Sequence, residues 1–450
     1  MIAIVVSHAD FASEHIGERL LELVDWTEHR DGSRPDADGG GAVYRTGDDG
    51  SGAPAFELRT FERIHVELDG VDAAFDDPDL LFFASRHSGD TGPLLTAHFT
   101  GNFGEAKYGG TDGSLARACP GAQKAVVAAF EESAPDRYDV GIECTHHGPS
   151  ELDVPSMFVE LGSGESEWED PEGARAVARA ILAVEGVEAD VDDGQRHLVG
   201  FGGGHYVPRP TRLVRETAWG VGHIAADWQL AELGDVEAGR DVVARVFERS
   251  AAEFAVIDGE KPELRRVVDD LGYRVVSETW VREVDDRPLA LVSELEAALS
   301  TVDDGLRFGA ESFETAEFTV VDLPSELLQE AQGVDADATR EAVETHTVAF
   351  ETDQNGARAS GRAAVRDRDA YDSLVASLAD LLAEKYDRVE RDGDVVVAHE
   401  TAFDPGKAAT LGVPEGPAFG KLAAGEPVEV GGDRVPPESV RTERIHRFPV

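Results

Sequence analysis

Glu143-Cys144-Thr145-His146-His147-Gly148-Pro149 (143–149) follows the apolar-rich run 138–142, and Gly200-Phe201-Gly202-Gly203-Gly204-His205-Tyr206-Val207-Pro208-Arg209 (200–209) follows His197-Leu198-Val199. Each reads as a polar loop entered from a strand. In open α/β sheets, ligands bind where such loops leave the carboxyl ends of strands. The stretch 141–209 therefore points to fold class and site together.

The same alternation of strand, polar loop and helix extends in both directions. Upstream, Ile2–Ser7 is a short apolar run, residues 11–26 have helical spacing, and 56–68 alternate like a strand. Residues 30–54, rich in Gly, Asp and Ser, read as a surface insertion. Buried strands are expected at 80–84, ending in Ser85-Arg86-His87, and at 94–102, with polar residues late. A helix is expected at 123–132. Downstream, 157–162 is a strand with Glu160 near its end, and 171–184 is a helix opened by proline. Strands at 219–225, 254–257 and 273–278 alternate with helices at 236–252 and 262–271. The pattern predicts an α/β fold: one mostly parallel sheet flanked by helices on both faces. Near Asp285 the texture changes, and eleven of the fourteen histidines lie at or before His223. We expect a site-bearing domain at 1–284. The remainder, 285–450, is expected to be a smaller α+β domain, with strand, strand, helix, strand over 343–399 and no catalytic-looking loop.

Composition bounds the function classes. The 41 basic and 90 acidic residues give a formal charge of −49, and only six residues are lysine. The acids are spread along the chain, as in a protein adapted to molar salt. At about 1 M salt the Debye length is about 3 Å, so this charge does not exclude a nucleic-acid partner. Two cysteines, Cys119 and Cys144, rule out a disulfide framework. No apolar run approaches the roughly 20 residues of a membrane span. Residues 1–7 have no basic region or cleavage site and read as a first strand, so a cytoplasmic protein is expected; a monomer is expected as well.

His87, His98, Glu143, His146, His147, Glu160 and His205 all fall at expected strand ends. Buried imidazoles and carboxylates are costly unless paired or bound to metal, so their joint placement points to a site at one edge of a single sheet. Such a set could hold Zn²⁺ with a position left for water, whose pKa would fall towards about 7. No His-Glu-x-x-His or paired Cys-x-x-Cys is present, so spacing alone does not fix a metal. Cys144 could act as a nucleophile with His146 on its side of the strand, but a small buried filler is the favoured reading. The glycine run 202–204 lacks both P-loop and dinucleotide spacing. With His205 and Arg209 beside it, the loop suits a phosphate or a developing oxyanion.

These motifs, with Ser85-Arg86-His87-Ser88, residues 96–102, the opening strand with Ser7, and 158–163 followed by Trp168, resemble the archaeal and plant type of D-aminoacyl-tRNA deacylase. The resemblance covers roughly residues 1–278. It implies hydrolysis of the ester joining a D-amino acid to the tRNA 3′ adenosine, bound zinc, and a fold like that of peptidyl-tRNA hydrolases and nucleoside phosphorylases. On that reading His146, Glu160 and His87 are expected to be catalytic. Ser7, Asn102, Gly203, Gly204 and Arg209 are expected to bind substrate, and His98, Glu143, His147 and His205 to bind metal. The alternatives are a non-enzymatic protein that binds tRNA 3′ ends, and a peptidyl-tRNA or nucleoside hydrolase on the same scaffold. Residues 411–422 and Gly425-Glu426 are similar to a segment of ribonuclease Z, whose metal-binding motif is absent here, and a Pro/Gly-rich structural loop is the alternative reading. The tail is expected to be dispensable for the site and to contribute to tRNA binding.

Overall fold

Ile2, Ile4 and Val6 fall in one buried cluster of the protein and Ala3 and Val5 in another, as the two-residue period of a strand requires. This strand, β1 (Ile2–Ser7), pairs in parallel with β4 (Phe56–Phe61) on one side and β5 (Leu80–Arg86) on the other. The computed structural model describes residues 1–33, 41–47, 55–310 and 317–450. Two compact units divide the chain, Met1–Asp285 and Asp286–Val450.

In the first unit an eight-stranded sheet also contains β2 (Trp26–Arg30), β3 (Ala42–Thr46), β6 (Leu94–His98), β7 (Asp139–Ile142) and β8 (Ser156–Gly162), in the order β2-β3-β4-β1-β5-β8-β6-β7. The core of β1, β4 and β5 is parallel and extends to β8. The insertion expected at 30–54 is partly strand, since β3 pairs antiparallel with β2 and β4. Its residues 34–40 and 48–54 lie outside the described residues.

Two expectations change here. The first is the single sheet. β9 (His197–Phe201), β10 (Gly220–Ala225), β11 (Phe254–Ile257) and β12 (Arg274–Val275) form a separate parallel sheet, ordered β10-β9-β11-β12. The loop carrying His205 therefore comes from the second sheet. The second is helical cover on both faces. The helices α1 (Phe11–Leu23), α2 (Pro120–Ser133) and α4 (Pro171–Leu182) pack on the face bearing Ile4, Phe82, Leu95 and Val159. A short helix, α3 (Glu165–Trp168), precedes α4. The opposite face, bearing Phe83 and Phe158, packs instead against loop residues such as Leu68, Phe75, Ala116 and Leu152. A sheet face under loops can present polar side chains inward, and the histidines and acids lie on this one.

The second sheet is covered by α7 (Arg240–Ser250) and α8 (Pro262–Asp270), whose Val246, Phe247 and Val267 are buried with Val199 and Ala255. Between β9 and α7 lie α5 (Pro208–Glu216) and α6 (Asp227–Leu233).

The second unit contains two larger antiparallel sheets and a two-stranded one. Its core joins Phe350, Leu374, Leu378 and Val396, with helix Arg368–Leu382 at the centre. The 411–422 segment ends within helix Pro417–Ala423, and its Val413 and Leu422 are buried with Val428 and Val440. No helix among the described residues is long and apolar enough to cross a membrane.

Candidate active site

Four strands present the site on the loop-covered face. On β8, Phe158 and Glu160 are two residues apart and share that face. On β5, Ser85 pairs with Glu160, and His87 follows the strand end. The strand β6 runs antiparallel to β8, so His98 lies opposite Phe158 rather than at a shared carboxyl edge. Their rings stack, with centroids 5.2 Å apart. The segment after β7 is stitched to the second sheet: Cys144 N–H donates to His205 O (3.0 Å) and Thr145 N–H to Ile224 O (2.9 Å). Those bonds bring the 143–149 and 200–209 loops together.

The centre is a set of three imidazoles. His98 Nδ1 donates to Phe99 O (3.0 Å), His146 Nδ1 to Cys144 O (2.9 Å) and His147 Nδ1 to Gly148 O (2.8 Å). A carbonyl only accepts, so each Nδ1 carries the proton, which leaves Nε2 as the free ring nitrogen. The ring centroids are 4.2 to 4.9 Å apart, and one ligand nitrogen from each lies within 4.8 Å of the others. His147 reaches this place with a left-handed backbone (φ 48°), which is uncommon for a residue with a side chain. Burial, together with His98 and the neighbouring His147, holds His146 well below its ordinary pKa. Burial and then His98 lower His147 to about 4. His98 goes the other way: burial opposes its charge, but Glu160 beside it raises the imidazole. Its Nε2 is buried without a hydrogen bond of good geometry. A cation among these nitrogens would satisfy all three once it displaced the proton that Glu160 favours on His98, and three neutral imidazoles are a common zinc donor set.

Beside them lies a carboxylate network. Glu143 Oε2 accepts from His205 Nε2 at 2.6 Å, and Glu143 Oε1 is 3.1 Å from His87 Nδ1. Glu160 is 3.6 Å from both His87 Nδ1 and His98 Nε2. Burial works against charge on His87, but hydrogen bonds to Glu143 and Glu160 outweigh it and push the imidazole up to about 11. Burial likewise opposes both carboxylates, yet His205 and His87 hold Glu143 well below its usual value, and His87 and His98 lower Glu160. His87 Nε2 donates to the Tyr206 hydroxyl (2.9 Å). Burial and then Glu143 push the Cys144 thiol up to about 12, and Sγ lies 3.7 Å from His205 Nδ1. Such a thiol is a poor nucleophile, which agrees with a buried filler that orients His205.

The remaining expected residues are placed less directly. Ser7 is fully buried, donates to Arg63 O and accepts from Ala9 N–H, so it shapes the turn after β1. Asn102 lines a cavity of about 240 Å³ with His146, His147 and His205, but its amide is spent on Gly109 O (2.9 Å). Gly203, Gly204 and Arg209 line a separate cavity of about 250 Å³. The Arg209 guanidinium donates to Ile257 O (3.1 Å) and pairs with Glu278 (3.3 Å), so it braces the fold instead of standing free for an anion.

Sequence reasoning missed His65, whose ring meets Phe158 edge-on at 5.7 Å and whose Nε2 lies 3.2 Å from Ser13 Oγ. It also missed Gln229, which donates to Thr145 O and accepts from Ala226 N–H (2.8 Å). No local pattern flags either residue.

Comparison with known proteins adds to this geometry. A family profile described as D-aminoacyl-tRNA deacylase matches residues 74–276. D-aminoacyl-tRNA deacylases of Halorubrum lacusprofundi and Natronomonas pharaonis are 56% and 55% identical over all of this chain, covering 97% and 100% of their own lengths. That of Methanococcoides burtonii is 33% identical over 98% of this chain and 95% of its own. Among solved structures, a conserved protein of unknown function is 30% identical with a TM-score of 0.53. The match covers 61% of this chain and 94% of that one.

Proposed function

Because the chain belongs to the D-aminoacyl-tRNA deacylase family, we propose that its histidine–carboxylate cluster hydrolyses the ester between a D-amino acid and the 3′-terminal ribose of tRNA, with zinc held by His98, His146 and His147. The observation that carries this reading is the commitment of all three Nδ1 atoms to carbonyls, which leaves Nε2 as the open nitrogen on three rings close enough to share one ion. His146, expected from the sequence to be catalytic, is thus proposed as a ligand. Glu143 and His205, expected as ligands, are proposed to support the ligands from beside them, in line with the bond that ties them together. When bound, zinc supplies a Lewis acid that lets water lose a proton near neutral pH.

The chain's own groups do the rest. Glu160, next to His98 Nε2, accepts the proton of the attacking water. His87 keeps its charge between the two carboxylates and, through the Tyr206 hydroxyl, delivers a hydrogen bond towards the departing ribose oxygen, which leaves as a hydroxyl by taking up the proton that Glu160 removed from water. The half-exposed Tyr206 is the member of this relay that substrate can reach.

The test is to incubate the full chain in molar KCl with D-tyrosyl-tRNA and with L-tyrosyl-tRNA, with and without a chelator. Loss of the D-ester that a chelator stops and zinc restores is the expected result. An intact D-ester, or cleavage indifferent to the chelator, contradicts the proposal.

A further inference from the structure

The 240 Å³ cavity has His146, His147 and His205 at its base and two exposed aromatic residues on its rim, Tyr108 and Trp228. Tyr108 is 71% exposed and Trp228 46%. Of the four exposed aromatics among the described residues (Phe11, Tyr108, Tyr206 and Trp228), three gather around this site. Neither rim ring packs against another aromatic or lies under a cation among the described residues.

The backbone segments that carry both rings are tied to the 143–149 loop. Gly148 N–H, next to His147, donates to Tyr108 O (2.9 Å). Gly109 follows with φ +76°, and a Cβ there would sit 1.8 Å from Val66 O, so only glycine lets the chain turn behind Tyr108. Trp228 lies on α6, which buried Gln229 ties to Thr145 O, next to His146. Lys107, one of six lysines, reaches across to Glu232 on α6 at 2.6 Å. The two rims are thus joined to each other and to the imidazoles.

From this geometry, and resting on the deacylase reading above, we infer that Tyr108 and Trp228 are stacking platforms for the unpaired nucleobases at the 3′ end of tRNA. The ester to be cleaved is carried by the last ribose, so the terminal base must lie within a few ångströms of the reacting carbonyl. Aromatic faces on the rim of the same cavity are in the right place to meet it. The chain's charge of −49 favours the same conclusion. Phosphate contacts weaken steeply with salt, whereas a base stacked on an aromatic ring does not depend on a charge pair. A protein built for molar salt can hold an RNA end by its bases.

The test uses the full chain in molar KCl and two fluorescent RNA hairpins with single-stranded 3′-CCA ends, one of them abasic at the last nucleotide. Anisotropy titration should show the wild type preferring the base-bearing hairpin by about tenfold. Tyr108→Ala or Trp228→Ala should remove most of that preference, and Tyr108→Phe and Trp228→Phe, which keep a ring, should retain it. On D-tyrosyl-tRNA the alanine variants should raise KM with kcat within about twofold. Alanine variants that keep the full preference, or a wild type without one, overturn the inference. The titration involves no ester. Terminal-base preference without D-ester cleavage refutes the deacylase reading alone, and cleavage without the preference refutes the stacking alone.

Discussion

The two units bury different chemistry. Among the described residues, the first unit holds His65, His87, His98, Glu143, Glu160 and His223 in its interior, whereas the buried polar side chains of the second are Thr339 and Thr347. Each buried ionisable group loses several kcal/mol of hydration unless partners replace it. The second unit avoids that loss with a core of leucines, valines and aromatics around helix Arg368–Leu382. A fold of this size therefore does not need buried charge. The first unit gathers His87, His98, Glu143 and Glu160 within one network, while its other buried ionisable groups, such as the Glu57–Arg59 pair on β4 and His223 on β10, are each paired elsewhere in the scaffold.

The largest effect should come from the imidazole set. We expect His146→Ala to lower kcat for D-tyrosyl-tRNA by roughly a thousandfold, the several kcal/mol that a catalytic metal contributes. Single-turnover hydrolysis measures it. A comparable loss from a core change in the second unit would erase the contrast between the units.

That core change, Leu378→Ala, is expected to cost about 3 kcal/mol of stability, because the side chain is fully buried. Denaturant unfolding in molar KCl reads the loss, and kcat per folded molecule should be unchanged. Next comes Glu160→Gln, which keeps the shape and removes the proposed proton acceptor. A drop of about a hundredfold in kcat, with zinc content unchanged, is expected. The smallest effect should follow from ending the chain after Asp285. The first unit should still fold, with kcat unchanged and KM raised severalfold, and a collapse of kcat would place part of the second unit in the site.

Much of this contrast can be read in the amino-acid sequence. The runs of β1, β5 and β8 are buried on both faces and apolar enough to mark themselves, and the rings of His98, His146, His147 and His205, all expected at strand ends, form a connected set with centroids 4.2 to 4.9 Å apart between neighbours. The split between sheets was not visible. The strand β9 is a buried parallel strand like any other, and the sheet it joins depends on pairing with β10 and β11, not on its own pattern. Nor could spacing assign the histidine nitrogens. Whether His146 is a ligand or a base depends on which carbonyl receives its Nδ1 proton, and a fold-dependent bond to Cys144 O decides it. Arg209 was misleading for a similar reason: beside a glycine run it suggests an anion, but Glu278 meets it from a distant part of the chain.

The central claim is that three Nε2 atoms, freed by three carbonyls, hold a metal ion. Zinc content per chain, measured by elemental analysis of the wild type and of His98→Ala, His146→Ala and His147→Ala after exhaustive dialysis in molar KCl, tests it most directly. The account predicts retained zinc in the wild type and at least one ion fewer per chain in every variant. Undiminished zinc in all three, with each variant folded, would contradict it.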